Sequence, residues 1–197
     1  MTMKTFKTTL LTIVVLLCSI SASAYDFEVD GICYTITSSE ELTVEIAYKG
    51  PAGYSGNFII PNSVKYDGFT YSVTSIGSTA FQGCSGLTNV TIGNSVISIR
   101  DYSFVGCSGL TSVDIPNTVT NIGNFAFKDC YNLTNVFIPN SVTSIGRDAF
   151  KGCSNLPVEN YVRYAGNWAV DVVDSEQLSY TLRTDIVGLA SDIFDNC

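Results

Sequence analysis

The sequence predicts a repeat solenoid of short parallel strands and short helical turns, closed at its N-terminal end by a β-rich cap with hairpins. Three observations predict it. Between Tyr71 and Leu156 one pattern is written four times, running from Val73-Thr-Ser-Ile-Gly through Ala80-Phe81 to Cys84, then again to Cys107, Cys130 and Cys153. Phe81, Phe104, Phe127 and Phe150 recur every 23 residues, and so do Leu87, Leu110, Leu133 and Leu156, and Ile76, Ile99, Ile122 and Ile145. A unit this short cannot bury its own apolar set, whereas units piled in register bury it against one another. No run in the 197 residues reads as a linker, so one repeat domain with modified ends follows.

Segment 1–24 has the layout of a secretory signal peptide cleaved after Ala24: Lys4 and Lys7, an apolar run from Leu10 to Leu17, then Ala22-Ser23-Ala24. The apolar run is too short for a membrane span, so no membrane insertion is expected once it is removed. Leu17 precedes Cys18 where a lipoprotein signal wants a small residue, which disfavours a lipid anchor. Residues 25–56 form the expected cap. Phe27 to Tyr34 carries the hairpin dipeptide Asp30-Gly31 between two β-rich runs, and Leu42 to Tyr48 alternates as a half-buried strand does.

Residues 57–156 are the repeats. Asn57-Phe58-Ile59-Ile60-Pro61-Asn62-Ser63-Val64 matches the strand segment of the later units, with an insertion from Lys65 to Ser72 that bears a second hairpin, Asp67-Gly68. In each later unit the strand is Leu87-x-x-Val90-x-Ile92, Leu110-x-x-Val113-x-Ile115 or Leu133-x-x-Val136-x-Ile138. Pro116 and Pro139, lacking an N–H, stop the strand and turn the chain. The remainder, such as Ile122-Gly-Asn-Phe-Ala-Phe127, suits a short helical turn. It ends on Gly83, Gly106 or Gly152 in a left-handed conformation, with Asp129 replacing the glycine once.

Residues 157–197 read as an elongated repeat. Tyr161 to Val173 looks like an inserted hairpin, and Leu178 to Arg183 like a further strand. The code returns at Ile186, Leu189, Phe194 and Cys197, where the chain is expected to stop in mid-repeat.

Composition excludes several functions. The chain has 18 acidic and 10 basic side chains, a formal net charge of −8 that becomes −10 without Lys4 and Lys7. Nucleic acids and anionic membranes, which need a basic face, are thus unexpected partners. There is no histidine, which removes the commonest general base and zinc ligand. No catalytic residue, metal or cofactor is predicted. Cys33, Cys84, Cys107, Cys130, Cys153 and Cys197 remain after export, an even number that suits disulfides. Five of the six share one repeat position, and a column of buried free thiols is the favoured alternative, because parallel Cβ vectors oppose closure.

At these residues the sequence resembles the BspA-type leucine-rich repeat family, whose 23-residue units read Leu-x-x-Ile-x-Ile-Pro-x-Ser-Val-x-x-Ile-Gly-x-x-Ala-Phe-x-x-Cys. The likeness covers about residues 58–156 and 186–197. Ile138-Pro139-Asn140-Ser141-Val142-Thr143-Ser144-Ile145-Gly146 and Ala149-Phe150-Lys151-Gly152-Cys153 carry it almost unaltered. Gly93 departs from the proline, Arg100 from the glycine and Ser103 from the alanine. The resemblance implies a secreted or cell-surface protein that binds an extracellular protein, such as host matrix or a neighbouring cell, with no enzymatic activity in the repeats.

The concave strand face usually binds in this architecture, which nominates its outward residues Asn89, Thr91, Ser112, Asp114, Asn135 and Phe137. Phe137 is the strongest, since an exposed aromatic anchors a contact at low entropic cost. The alternative for all six is an ordinary solvated sheet. Trp168, with Tyr161 and Tyr164, could instead stack on a polysaccharide, or simply pack over the solenoid's side. Ser63, Ser95, Thr118 and Ser141 are placed to bond backbone between coils; no base supports a catalytic serine. Asp171, Asp174 and Glu176 match no calcium loop. Asn89-Val-Thr91 and Asn132-Leu-Thr134 are glycosylation sequons, relevant only in a eukaryotic host. A third reading is a spacer or remnant of a longer surface protein.

Overall fold

The computed structural model describes residues 25–50, 53–176 and 179–194. The expected signal segment, Leu178 and Cys197 lie outside the described residues. The chain opens with β1 (Phe27–Val29), β2 (Ile32–Ser38) and β3 (Thr43–Ile46), an antiparallel meander. Asp30 and Gly31 join β1 to β2 with φ of 52° and 77°, the doubly left-handed turn whose twist suits a two-residue hairpin. The repeats follow as β4 (Gly56–Ile59), β5 (Ser63–Tyr66), β6 (Phe69–Ile76), β7 (Leu87–Thr91), β8 (Ser98–Ile99), β9 (Ser112–Asp114), β10 (Asn121–Ile122), β11 (Asn135–Phe137) and β12 (Ser144–Ile145). The insertion in the first repeat is the β5–β6 hairpin, turned at Asp67 and Gly68 with φ of 47° and 80°.

Each coil lends one strand to each of two sheets. β4, β7, β9 and β11 form a parallel sheet in which Phe58, Val90, Val113 and Val136 are in register. Across the core, β6, β8, β10 and β12 form a second parallel ladder through Ile76, Ile99, Ile122 and Ile145. β3 pairs parallel with β6, so the cap and this ladder are one continuous sheet. The second ladder was not expected, because two-residue strands are too short to show alternation.

The expected helical turns are corrected as well: among the described residues no helix forms. In the turn after β6, Ala80 N, Gln82 N and Cys84 N donate to carbonyls three residues back, while Thr79 N, Phe81 N and Gly83 N donate to Asp101, Ser103 and Val105 of the next coil. Alternate amides thus leave their own coil, and the turns stack as a third ladder. Thr79, Tyr102, Phe125 and Asp148 are left-handed, with φ of 61°, 60°, 57° and 52°, which interrupts any helix. Gly83, Gly106 and Gly152 are also left-handed, as expected, and Asp129 takes the same conformation at φ 60°. A β-branched residue is strained there. Thr79→Asn is expected to raise stability by about 1 kcal/mol, seen as a higher urea midpoint; a lowered midpoint would mean that the Thr79 Oγ1 bond to Ser78 O (2.6 Å) outweighs the strain.

The interior is a stack of rings. Phe81, Phe104, Phe127 and Phe150 are fully buried, with successive centroids 4.7, 5.0 and 5.1 Å apart and planes within 12° of parallel. Tyr54 and Phe58 close the N-terminal end, Phe58 edge-on to Phe81 and Tyr54 tilted against it. Tyr54 Oη donates to Ala47 O and accepts from Cys33 N, both at 3.0 Å, pinning the cap to the first coil. Burial pushes the Tyr54 phenol up, and burial together with Asp30 pushes Tyr34 up to about 12. Folded-state values above the unfolded value of about 10 mean that stability present below that pH is lost as pH rises toward 12. Circular dichroism along an alkaline titration should show the β signal collapsing over this window; a melting temperature constant from about pH 9 to 12 would contradict it.

Beside the rings runs a column of reduced thiols. Cys84, Cys107, Cys130 and Cys153 are buried and free. Cys107, Cys130 and Cys153 donate Sγ–H to Phe81 O, Phe104 O and Phe127 O at 3.0, 3.2 and 3.1 Å. The Cys130 thiol is raised by its hydrogen-bonded neighbours Cys107 and Cys153 and by burial, and Cys84 by burial. Thiolate is the reactive form. Iodoacetamide at neutral pH should therefore leave all four unlabelled in the native protein and label them in urea, as read by peptide mass spectrometry; labelling of Cys130 without unfolding would refute the sealed column.

The C-terminal region forms a separate sheet of β13 (Val158–Glu159), β14 (Val162–Ala165), β15 (Trp168–Val172) and β16 (Gly188–Leu189). β14 and β15 are the expected hairpin, turning at Gly166-Asn167. β16 returns to the repeat code but pairs parallel with β15, so the hairpin stands in for a coil. The strand expected over 178–183 is corrected: 179–183 form none. Arg183 N donates to Tyr164 Oη at 3.2 Å rather than to a ladder, and Tyr180 and Leu182 pack on the small cluster of Val162, Tyr164 and Ala169.

Candidate functional site

The parallel sheet of β4, β7, β9 and β11 sets its outward residues in two rows. One holds Asn57, Asn89, Ser112 and Asn135; the other holds Ile59, Thr91, Asp114 and Phe137. All six residues nominated from the sequence therefore share one face. The amide row is tied across strands: Asn89 Nδ2 donates to Asn57 Oδ1 (2.9 Å), and Ser112 Oγ and Thr111 Oγ1 donate to Asn89 Oδ1 (2.7 and 3.2 Å). The side chains of Asn57, Asn89 and Ser112 are thus held before any ligand arrives. The second row is anchored at both ends by exposed apolar side chains, Ile59 at 69% and Phe137 at 62%. Strand spacing puts them about 14 Å apart. Asn57 and Ile59 were not nominated, although their segment matches the later strands; the signal was its alignment with Asn89 and Thr91.

The hydroxyl column is structural. Ser95 Oγ donates to Asn62 O and Val73 O, both at 2.8 Å, while Thr118 Oγ1 donates to Val96 O (2.7 Å) and Ser141 Oγ to Val119 O (2.8 Å). These bonds satisfy backbone between coils, as turn hydroxyls do. The departures from the repeat find partners too. Ser103 Oγ donates to Arg100 O and Gly77 O in the core, and Arg100 Nη1 lies 3.1 Å from Glu45 Oε2 on the cap. Burial raises Glu45 above the usual carboxylate range despite that pairing.

Of the two readings of the hairpin aromatics, packing over the solenoid is the one found, and the alternative stacking platform is corrected. Trp168 is 6% and Tyr164 1% exposed, so neither ring presents a face to a sugar. Tyr161 is exposed at 50% but stands without them. The indole lies over Gly188, where an added Cβ would sit 2.5 Å from the ring. Gly188 falls at the repeat position of Ser98, Asn121 and Ser144, and only glycine leaves room for the indole. Arg163 of β14 caps the solenoid, its Nη1 donating to Cys153 O (2.8 Å) and Leu156 O (3.2 Å). Arg163 Nε is 3.6 Å from Asp171 Oδ2, an ion-pair distance beyond hydrogen-bond range. Burial raises Asp171 more than the Arg163 charge lowers it.

Where the hairpin turn meets the sheet, a cleft of about 450 Å³ opens between Phe137, Ile138, Asn117, Asn140, Ser141, Gly166 and Asn167. Phe137 thus belongs to the strand face and to this cleft at once.

Residues 57–168 match the model of the BspA type leucine rich repeat region in six copies. Among solved structures the chain is similar to a leucine-rich repeat protein from Bacteroides capillosus ATCC 29799, with 31% identity over 59% of this chain and 83% of that one and a TM-score of 0.52. It is similar in fold to the T. pallidum leucine rich repeat protein, with 23% identity over 84% and 81% of the two chains and a TM-score of 0.58. The pneumococcal vaccine antigen PcpA shares the fold at 17% identity, over 87% of this chain and 47% of that one, with a TM-score of 0.51. No curated protein matches. A family match over more than half its length, on a two-sheet solenoid whose 23-residue code is fully used in the core, places the chain in the BspA-type leucine-rich repeat family.

Proposed function

We propose that the chain is an exported, non-enzymatic binding protein that adheres to an extracellular protein through the outward face of β4, β7, β9 and β11. The observation that supports this most is the row Ile59, Thr91, Asp114, Phe137, in which two exposed apolar anchors bracket polar groups on a rigid sheet. Isolated exposed apolar residues are common, but paired anchors beside a hydrogen-bonded amide row offer the central apolar contact and polar surround of a binding patch. Because the Asn57 and Asn89 amides are already ordered, less side-chain entropy is lost there on binding. Export rests on the sequence of residues 1–24.

The test is binding of the purified full chain to immobilised matrix proteins, beside a variant with Asn89, Asp114, Asn135 and Phe137 all changed to Ala. Saturable binding that the variant loses, with its melting temperature kept, supports adhesion through this face. Binding retained by the variant places the contact elsewhere, and no binding to any protein favours a spacer role.

A further inference from the structure

Two parts of the chain remote in sequence meet beyond β11 and frame the 450 Å³ cleft. Phe137 and Ile138 supply its apolar surface, Asn117 and Asn140 come from consecutive coils, and the Gly166-Asn167 turn forms the opposite wall. No side chain lining it is charged. Each asparagine carries two donor hydrogens and an acceptor oxygen, and among the described residues none of the side chains of Asn117, Asn140 and Asn167 is engaged in a hydrogen bond. Coil spacing holds Asn117 and Asn140 about 5 Å apart, close enough to act on one small ring. The hairpin wall is rigidly placed: a Cβ on Gly166 would lie 3.3 Å from Val136 O and 3.6 Å from Ile138 N.

We infer that this cleft binds a neutral saccharide ring. A pyranose has one C–H face, which suits the exposed ring of Phe137, and an edge of hydroxyls that donate and accept, which suits carboxamides. A phosphate, sulfate or sialic acid would want Lys or Arg, and a cation would want carboxylates; the cleft has neither. An extended peptide would need room alongside β11, the last strand of its sheet, and the Gly166 turn stands there. The inference does not rest on the strand face contacting a protein, and shares only Phe137 with that surface.

The test is saturation-transfer NMR of the full chain with neutral gluco-, galacto-, manno- and N-acetylhexosamine trisaccharides, and with sialylated and sulfated counterparts, followed by titration calorimetry. At least one neutral trisaccharide should bind with a Kd on the order of 1 mM or tighter. N140A and N117A should each weaken it about tenfold without moving the melting temperature. F137A should abolish binding and F137W retain it, whereas Y161A should leave the saccharide affinity unchanged. A neutral polysaccharide, and a high-mannose glycoprotein before and after enzymatic deglycosylation, then identify the source of the sugar. Silence from every neutral sugar, preference for charged ones, or affinity insensitive to Asn117 and Asn140 overturns the inference.

Discussion

Phe127→Ala is expected to remove about 4 kcal/mol of stability and to divide unfolding into two steps. The ring is fully buried and stacks on both sides, 5.0 Å from Phe104 and 5.1 Å from Phe150. Its loss combines lost transfer energy, a cavity that neighbouring coils cannot collapse into, and two ring pairs worth about 1 kcal/mol each beyond area. In a stacked repeat, stability is a sum of unit terms and nearest-neighbour terms. Weakening one central neighbour term therefore uncouples the cap side from the hairpin side. Phe150→Ala should cost less, since it removes only one stacking partner of this ladder. Urea unfolding followed separately by far-UV signal and by Trp168 fluorescence tests this: equal losses for both variants, or coincident transitions for Phe127→Ala, would show that the stack is not the coupling element.

Gly188→Ser restores the residue type that Ser98 and Ser144 place at this repeat position, yet it should destabilise the C-terminal region by about 2 kcal/mol. The new Cβ would fall 2.5 Å from the Trp168 ring and 2.6 Å from a second ring atom, well inside contact distance. The indole must leave its bed between β15 and β16. Trp168 is the sole tryptophan, so the displacement reads directly as a red-shifted emission and faster quenching by acrylamide. An unshifted spectrum with full stability would mean that the backbone yields instead, and that Gly188 has no part in seating the hairpin.

Most of the fold is legible in the sequence because its interior repeats: the same side chain meets its own copy in the next coil, so Phe81, Leu87 and Cys84 announce their places by recurrence alone. The hairpins at Asp30-Gly31 and Asp67-Gly68 are legible for a local reason, a turn dipeptide between β-rich runs. What recurrence cannot show is backbone conformation carried by ordinary residues. Thr79, Tyr102, Phe125 and Asp148 share a left-handed conformation without sharing chemistry, so a helix looked natural where a third ladder of turns forms. Nor could it show Trp168 turned inward, because that depends on how an insertion docks on coils already built. The strand face was readable from strand alternation. The cleft was not: Asn117 and Asn140 look like turn residues until the Gly166-Asn167 turn, distant in sequence, arrives to face them.

The joining of cap and second ladder into one sheet has a kinetic consequence. β1, β2 and β3 pair through short connections, whereas every later coil must close a loop of a full 23-residue repeat before its parallel bonds form. The meander is thus the cheapest part of the chain to order first, and β3 then offers β6 a finished edge. Each coil that joins presents the next with an identical edge. Folding is expected to start at the N-terminal end and advance one turn at a time, so that each finished edge templates the next coil.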